Sequence, residues 1–326
     1  MDQLSTKLFS IFLIILNLSI SGVLSTTFTL VNKCNYTVWP GILSNAGVAP
    51  LPTTGFVLQS GDSKSITPPA SWGGRFWGRT VCSQDSTGKF SCLTGDCNSG
   101  KVECSGNGAT PPATLAEFTL DGSGGLDFFD VSLVDGYNVP MLVVPQGGSG
   151  DNCTNTGCIR DLLGACPSEL KVTTVDGKES VACKSACEAF GTAQYCCSGA
   201  YGSPNTCKPS SYSELFKSAC PRAYSYAYDD KTSTFTCASA AEYTITFCPS
   251  TNNSPSQKAW QGQNPKSDGS DSSSSPQLNN GSNSMVYVGG FDQSEISWAT
   301  CINVWESQTI LTITTAMWLL CRLFHF

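Results

Sequence analysis

The chain has 326 residues, with 18 Lys and Arg against 25 Asp and Glu and a formal net charge of −7 at pH 7. That balance excludes a nucleic-acid backbone as the natural partner. Its one histidine is His325, at the far C-terminus, so a Ser-His-Asp triad, a Cys-His pair or an HExxH site is excluded from the body of the protein.

Residues 1–25 read as a secretory signal peptide. Lys7 supplies the positive start, Leu8 to Ile20 the apolar run, and Val23-Leu24-Ser25 a small-residue cleavage site. The apolar run is short for a membrane span. Of the 18 cysteines, 16 lie between Cys34 and Cys248. An even, dense set behind a signal peptide predicts a disulfide framework whose connectivity spacing alone does not fix. Cys92-x4-Cys97 has zinc-like spacing, but the oxidising route and the lack of histidine favour disulfides, and no metal or other cofactor is expected.

Thr26 to Val31 alternates, with Phe28 and Leu30 on one face, and predicts a strand. Gly41 to Ser65, rich in Gly, Pro, Ser and Thr, predicts short antiparallel strands with tight turns. Ala70 to Val81 alternates around Arg75, Phe76, Trp77 and Arg79. Both arginines share one face of that strand, either as solvated charges or with one paired to a carboxylate.

Thr114 to Met141 places Glu117, Asp127, Asp130 and Asp135 among Leu115, Phe118, Leu120, Phe128, Phe129, Val131 and Leu133. Carboxylates in β-forming apolar sequence are costly unless they line a cleft or meet a cation. The expectation is an acidic surface on a rigid sheet. Glu117 faces opposite Phe118 and Leu120. Asp130 and Asp135 differ in strand parity, so a bend or the turn at Asp135-Gly136 must come between them. Asp127 reads as a solvated turn residue.

Asp151 to Pro221 holds nine cysteines and helix signals. Cys183 and Cys187, spaced i, i+4, could share a helix face. Ser211 and Glu214 fit an S-x-x-E capping box. Tyr224 to Asp230 then returns towards the sheet, and Phe235 to Phe247 completes it. Residues 251–300 read as a Ser/Asn-rich linker too polar to fold, and residues 301–326 as an apolar tail. Tail and linker together suggest a GPI-attachment signal, with Ser282, Asn283, Ser284 and Gly289 as candidate sites. Glycosylation sequons begin at Asn35, Asn152, Asn252 and Asn280.

The string GKFSCLTGDCNSGKVEC, from Gly88 to Cys104, resembles the signature of the thaumatin-like, pathogenesis-related family. FWGRTVC, PPATLAEFTL, LDFFDVSLVDGYNVPM, CPRAYSYAYDD and TITFCPS also resemble that family's blocks, in its order, over about residues 26–250. The resemblance implies a mainly β fold. It would be a β-sandwich of antiparallel strands (about 26–80, 113–152 and 222–250), with a cysteine-stapled loop region (about 81–112) and a small disulfide-rich helical subdomain (about 153–221), and an acidic cleft between them. It also implies the pairs Cys34–Cys248, Cys82–Cys92, Cys97–Cys104, Cys153–Cys237, Cys158–Cys220, Cys166–Cys183, Cys187–Cys196 and Cys197–Cys207.

Carried over by motif, the cleft comprises Arg75, Glu117, Asp130, Asp135 and Asp229, with Asp230 as the alternative to Asp229. Two functions follow from the resemblance. The cleft binds β-1,3-glucan or another microbial or wall ligand in antifungal defence. Alternatively, the protein is an endo-β-1,3-glucanase with Glu117 as general acid, Asp130 or Asp135 as its partner, and Arg75 holding the other acids ionised. Phe76, Trp77 and Tyr137 are candidate sugar-stacking faces or core residues. The expected partners are β-glucan or another wall component, and a wall or receptor protein. The expected setting is a monomer outside the cell, held at the plasma membrane only through the GPI anchor or free in the cell wall.

Overall fold

A computed structural model describes residues 26–250. The signal peptide, linker, apolar tail and the sequons at Asn252 and Asn280 lie outside the described residues. In chain order the strands are β1 (Thr27–Asn32), β2 (Trp39–Ser44), β3 (Ser63–Ile66), β4 (Gly73–Gln84), β5 (Phe90–Thr94), β6 (Leu115–Thr119), β7 (Asp127–Ser132), β8 (Met141–Gln146), β9 (Thr156–Cys158), β10 (Lys171–Thr173) and β11 (Ser180–Cys183). Short helices follow: α1 (Ala186–Phe190), α2 (Ala193–Cys196), α3 (Ser211–Ala219) and α4 (Asp230–Ser233). Strands β12 (Phe235–Cys237) and β13 (Glu242–Phe247) close the domain.

Two sheets make the core. One has the order β3-β1-β13-β8-β9, the other β12-β7-β6-β4-β2 with β5 joined to β4, and β10-β11 is a separate hairpin. Alternation explains the packing. In β1, Phe28 and Leu30 are buried between partly exposed threonines and Val31, the period of two that a one-sided strand requires. Phe28 meets Phe76 and Phe118 of the other sheet at ring-centroid distances of 4.8 and 4.7 Å. Tyr243 of β13 meets Phe118 and Phe129 at 5.2 and 5.0 Å. These aromatic pairs cement the two sheets face to face.

One pairing departs from the antiparallel expectation. β1 and β13 run parallel, from Thr27↔Glu242 to Asn32↔Phe247. Parallel neighbours need a long connection, and here nearly the whole described chain lies between them. Cys34 and Cys248 join just beyond the ends of both strands. All eight bridges have the pairing that the resemblance implied.

Two local expectations are corrected. Cys183 ends β11 while Cys187 lies in α1, so they share no helix face, and their partners differ. Cys183 pairs with Lys171 as the last residue of β11 and exchanges backbone hydrogen bonds with Tyr137, and Ser185 then caps α1. The cap of α3 is Ser210, one residue earlier than expected. The Ser210 Oγ accepts from the Ser213 N–H, and the Ser213 Oγ accepts from the Ser210 N–H. Two overlapping boxes exist in this sequence, and extended backbone at Ser210 selects the upstream one.

Candidate functional site: an ionic row on the outer face of the sheet

Strand register assembles the site. Arg75 of β4 lies directly opposite Glu117 of β6, and Glu117 directly opposite Asp130 of β7. The three form one row across three strands. The neighbouring row, Gly74–Phe118–Phe129, faces the core instead. Side chains on directly opposed residues touch, so the sequence places one cation and two acids in a line on the sheet face away from the core.

The row is only thinly wetted. Asp130 is 4% exposed, and the Arg75 and Glu117 side chains are 21% and 18% exposed. Arg75 Nε stands 3.6 Å from Glu117 Oε1, close enough for ion pairing but too far for a good hydrogen bond. Arg75 Nε and Asp130 Oδ1 are buried without a hydrogen-bond partner. Burial lifts the Glu117 carboxyl above its ordinary range; Arg75 opposes this and Asp135 adds to it. Burial lifts Asp130 well above its range, the Glu117 charge lifts it further, and Arg75 again opposes. Two acids so placed favour sharing a proton over carrying two charges.

Asp135 reaches the row from a turn. β7 ends at Ser132, and the Gly136 N–H closes back on the Leu133 carbonyl, which resolves the parity conflict with Asp130. Gly136 has φ +85°, and a Cβ there would stand 2.6 Å from the Cys183 carbonyl oxygen. A glycine lets this turn lie against the end of β11.

At the fifth position the two candidate aspartates take different partners. Asp229 accepts from the Ser225 N–H and Oγ and pairs with Lys217 Nζ at 2.8 Å. Asp230 accepts from the Tyr224 hydroxyl at 2.9 Å, and its charge is the one that raises Asp130. Asp230 therefore belongs electrostatically with the row, while Asp229 anchors the 222–230 loop to α3. Two adjacent aspartates are indistinguishable by motif; Lys217 separates them.

Other readings change as well. Arg79 is fully buried, not solvated, and donates to the carbonyls of Trp39, Pro40 and Val102. Burial lowers its pKa to about 10. Asp127 is buried rather than a solvated turn residue. It accepts from the Asp121 N–H and from the Tyr243 hydroxyl at 2.8 Å, and burial raises its pKa. Phe76, Trp77 and Tyr137 are completely buried and present no face to a sugar. The sequons at Asn35 and Asn152 sit on exposed asparagines, although Asn152 Nδ2 donates to the Thr234 carbonyl.

Sequence reasoning passed over Glu188, in the first turn of α1. Its N–H donates to the capping Ser185 Oγ, and its Oε1 lies 3.8 Å from Lys184 Nζ. Burial pushes its carboxyl up to about 7, Lys184 opposes this, and the Asp135 charge adds to it. Ser185-x-x-Glu188 is itself a capping signature and could have flagged the helix.

The thaumatin family profile matches residues 32–249. Thaumatin-like protein 1 of Arabidopsis thaliana is 64% identical over 69% of this chain and 86% of its own. Pathogenesis-related protein 5 of the same plant is 58% identical over 70% of this chain and 92% of its own. A glucan endo-1,3-beta-glucosidase of Prunus avium is 55% identical over 71% of this chain and 94% of its own.

Proposed function

The chain belongs to the thaumatin family and is of the pathogenesis-related type, and from that premise we propose that its ionic row binds β-1,3-glucan in defence, without turnover. The observation carrying this reading is the row Arg75–Glu117–Asp130, flanked by Asp135: charged groups held half-dry on a rigid sheet, with unmatched hydrogen-bonding capacity. A neutral polysaccharide matches such a surface, since each sugar hydroxyl both donates and accepts. The name of the 55%-identical Prunus avium relative supports the ligand class.

Hydrolysis is the second reading, favoured by that same name and by the raised Glu117, which suits a general acid. Its weak point is the partner. Asp130 is buried and itself favours its proton, so it makes a poor nucleophile or base. Asp135 is the remaining candidate of the two. Binding without hydrolysis follows if neither Asp130 nor Asp135 serves as base or nucleophile.

Titration of the purified protein with a soluble β-1,3-glucan tests the reading. Glu117→Ala is expected to weaken binding by about 10- to 150-fold, the span of losing one hydrogen bond to a charged group. An unchanged affinity would remove the row from the binding surface. The signal peptide and GPI signal would put this surface outside the cell, on the membrane face. Release by phospholipase C from intact cells is the expected result, and retention while other anchored proteins are freed would contradict it.

A further inference from the structure

We propose that Glu188 is a ligand-contacting residue of the same site, meeting a hydroxyl of the bound β-1,3-glucan from α1, beside the sheet; this rests on the glucan reading above. Nothing in the family motif or in the relatives' names assigns it.

Three observations converge. First, α1 is fixed to the turn that carries Asp135. The Tyr137 N–H donates to the Cys183 carbonyl at 2.8 Å, and the Cys183 N–H donates back at 2.7 Å. Gly136 permits the close approach, since a Cβ there would also stand 3.2 Å from the Ser185 nitrogen, the cap of α1. Second, Asp135 acts on both Glu117 and Glu188, so one carboxylate links the sheet row to the helix. Third, among the described residues only four buried side-chain polar atoms have no hydrogen-bond partner, and three are Arg75 Nε, Asp130 Oδ1 and Glu188 Oε2. Buried polar atoms are normally satisfied; two of these three lie in the row and the third on α1, and together they mark where a polar ligand completes the set. Asp130, at 4% exposure, shows that the row is built into the sheet rather than scattered over a surface.

The charged groups acting on Glu188 are Lys184, just before α1, and Asp135 on the turn. Burial and Asp135 favour the proton, and Lys184 opposes it, with the balance at about 7. Below that pH the carboxyl can donate to a sugar oxygen as well as accept. Above it the group only accepts and adds a charge next to Asp135. Glu188→Gln preserves shape and keeps a donor at every pH.

The test is calorimetric titration of a soluble β-1,3-glucan into wild type, Glu188→Gln and Glu188→Ala at pH 5 and pH 8, with melting curves to establish folding. Wild type is expected to lose about 2- to 10-fold more affinity between pH 5 and pH 8 than Glu188→Gln, the range of one neutral hydrogen bond. Glu188→Ala is expected to be weaker than wild type at pH 5 by a similar factor. Parallel pH profiles for wild type and Glu188→Gln would overturn the proposal while leaving the glucan reading intact. Absence of binding by wild type at both pH values would overturn both.

Discussion

Arg79 and Tyr243 show how individual side chains hold the frame under the site. Arg79 spans three carbonyls with one planar fork, in the middle of the same strand that presents Arg75. Lysine cannot reproduce a fork. Arg79→Lys and Arg79→Met should both lower stability by about 3 kcal/mol or more, as charge-assisted bonds are lost and buried carbonyls left bare. Denaturant unfolding checks this; rescue by lysine would show that charge alone matters. Tyr243→Phe should destabilise by about 1–3 kcal/mol, because Asp127 Oδ2 then loses its buried donor. Such roles were not legible in the sequence. An arginine on an alternating strand and an aspartate near Gly-rich sequence look solvated, and their burial depends on partners tens of residues away.

At the scale of elements, register and turns decide what meets what. Alternation in β1, β4 and β6 was readable, because a period of two survives in any single strand. The alignment of Arg75, Glu117 and Asp130 was not, since a one-residue slip would send each acid to the core face. The family resemblance supplied the residues; the sheet supplied the row. Glu188 escaped because its importance depends on how α1 meets the Asp135 turn, a long-range contact with no local signature. That joint is testable. Gly136→Ala should destabilise by about 3 kcal/mol, combining positive-φ strain with a backbone clash. Gly88→Ala, at φ +82° with nothing within 4 Å, should cost only about 1 kcal/mol. Equal losses in thermal unfolding would show that the joint exerts no steric constraint.

Across the molecule, cross-links and buried acids set the conditions for stability. Cys34–Cys248 spans 214 residues and Cys97–Cys104 spans seven. In the chain-entropy model these are worth about 5 and about 2 kcal/mol, so Ala replacement of the first pair should be the more damaging. Glu117, Asp127, Asp130 and Glu188 all have pKa values raised above ordinary. The folded state therefore binds more protons than the unfolded chain between the ordinary carboxylate range and those raised values. Their contribution is fully present below the unfolded pKa and fades as pH rises through the folded one. Asp85 and Asp176, lowered by hydrogen bonds from Thr87 and Thr174, act in the opposite sense only at strongly acid pH. The melting temperature should accordingly fall between pH 5 and pH 8, and fall less in Glu188→Gln. A rise over that interval would contradict the burial of these acids.

The proposed role of the row on the sheet is to recognise β-1,3-glucan without cutting it. The most direct measurement follows binding and reducing-end release together, on one glucan preparation, for the purified protein and Glu117→Ala. Saturable binding without release, weakened in the variant, is the predicted result. Release by wild type that disappears in Glu117→Ala would contradict the claim and make the protein a glucanase with Glu117 at its chemical centre.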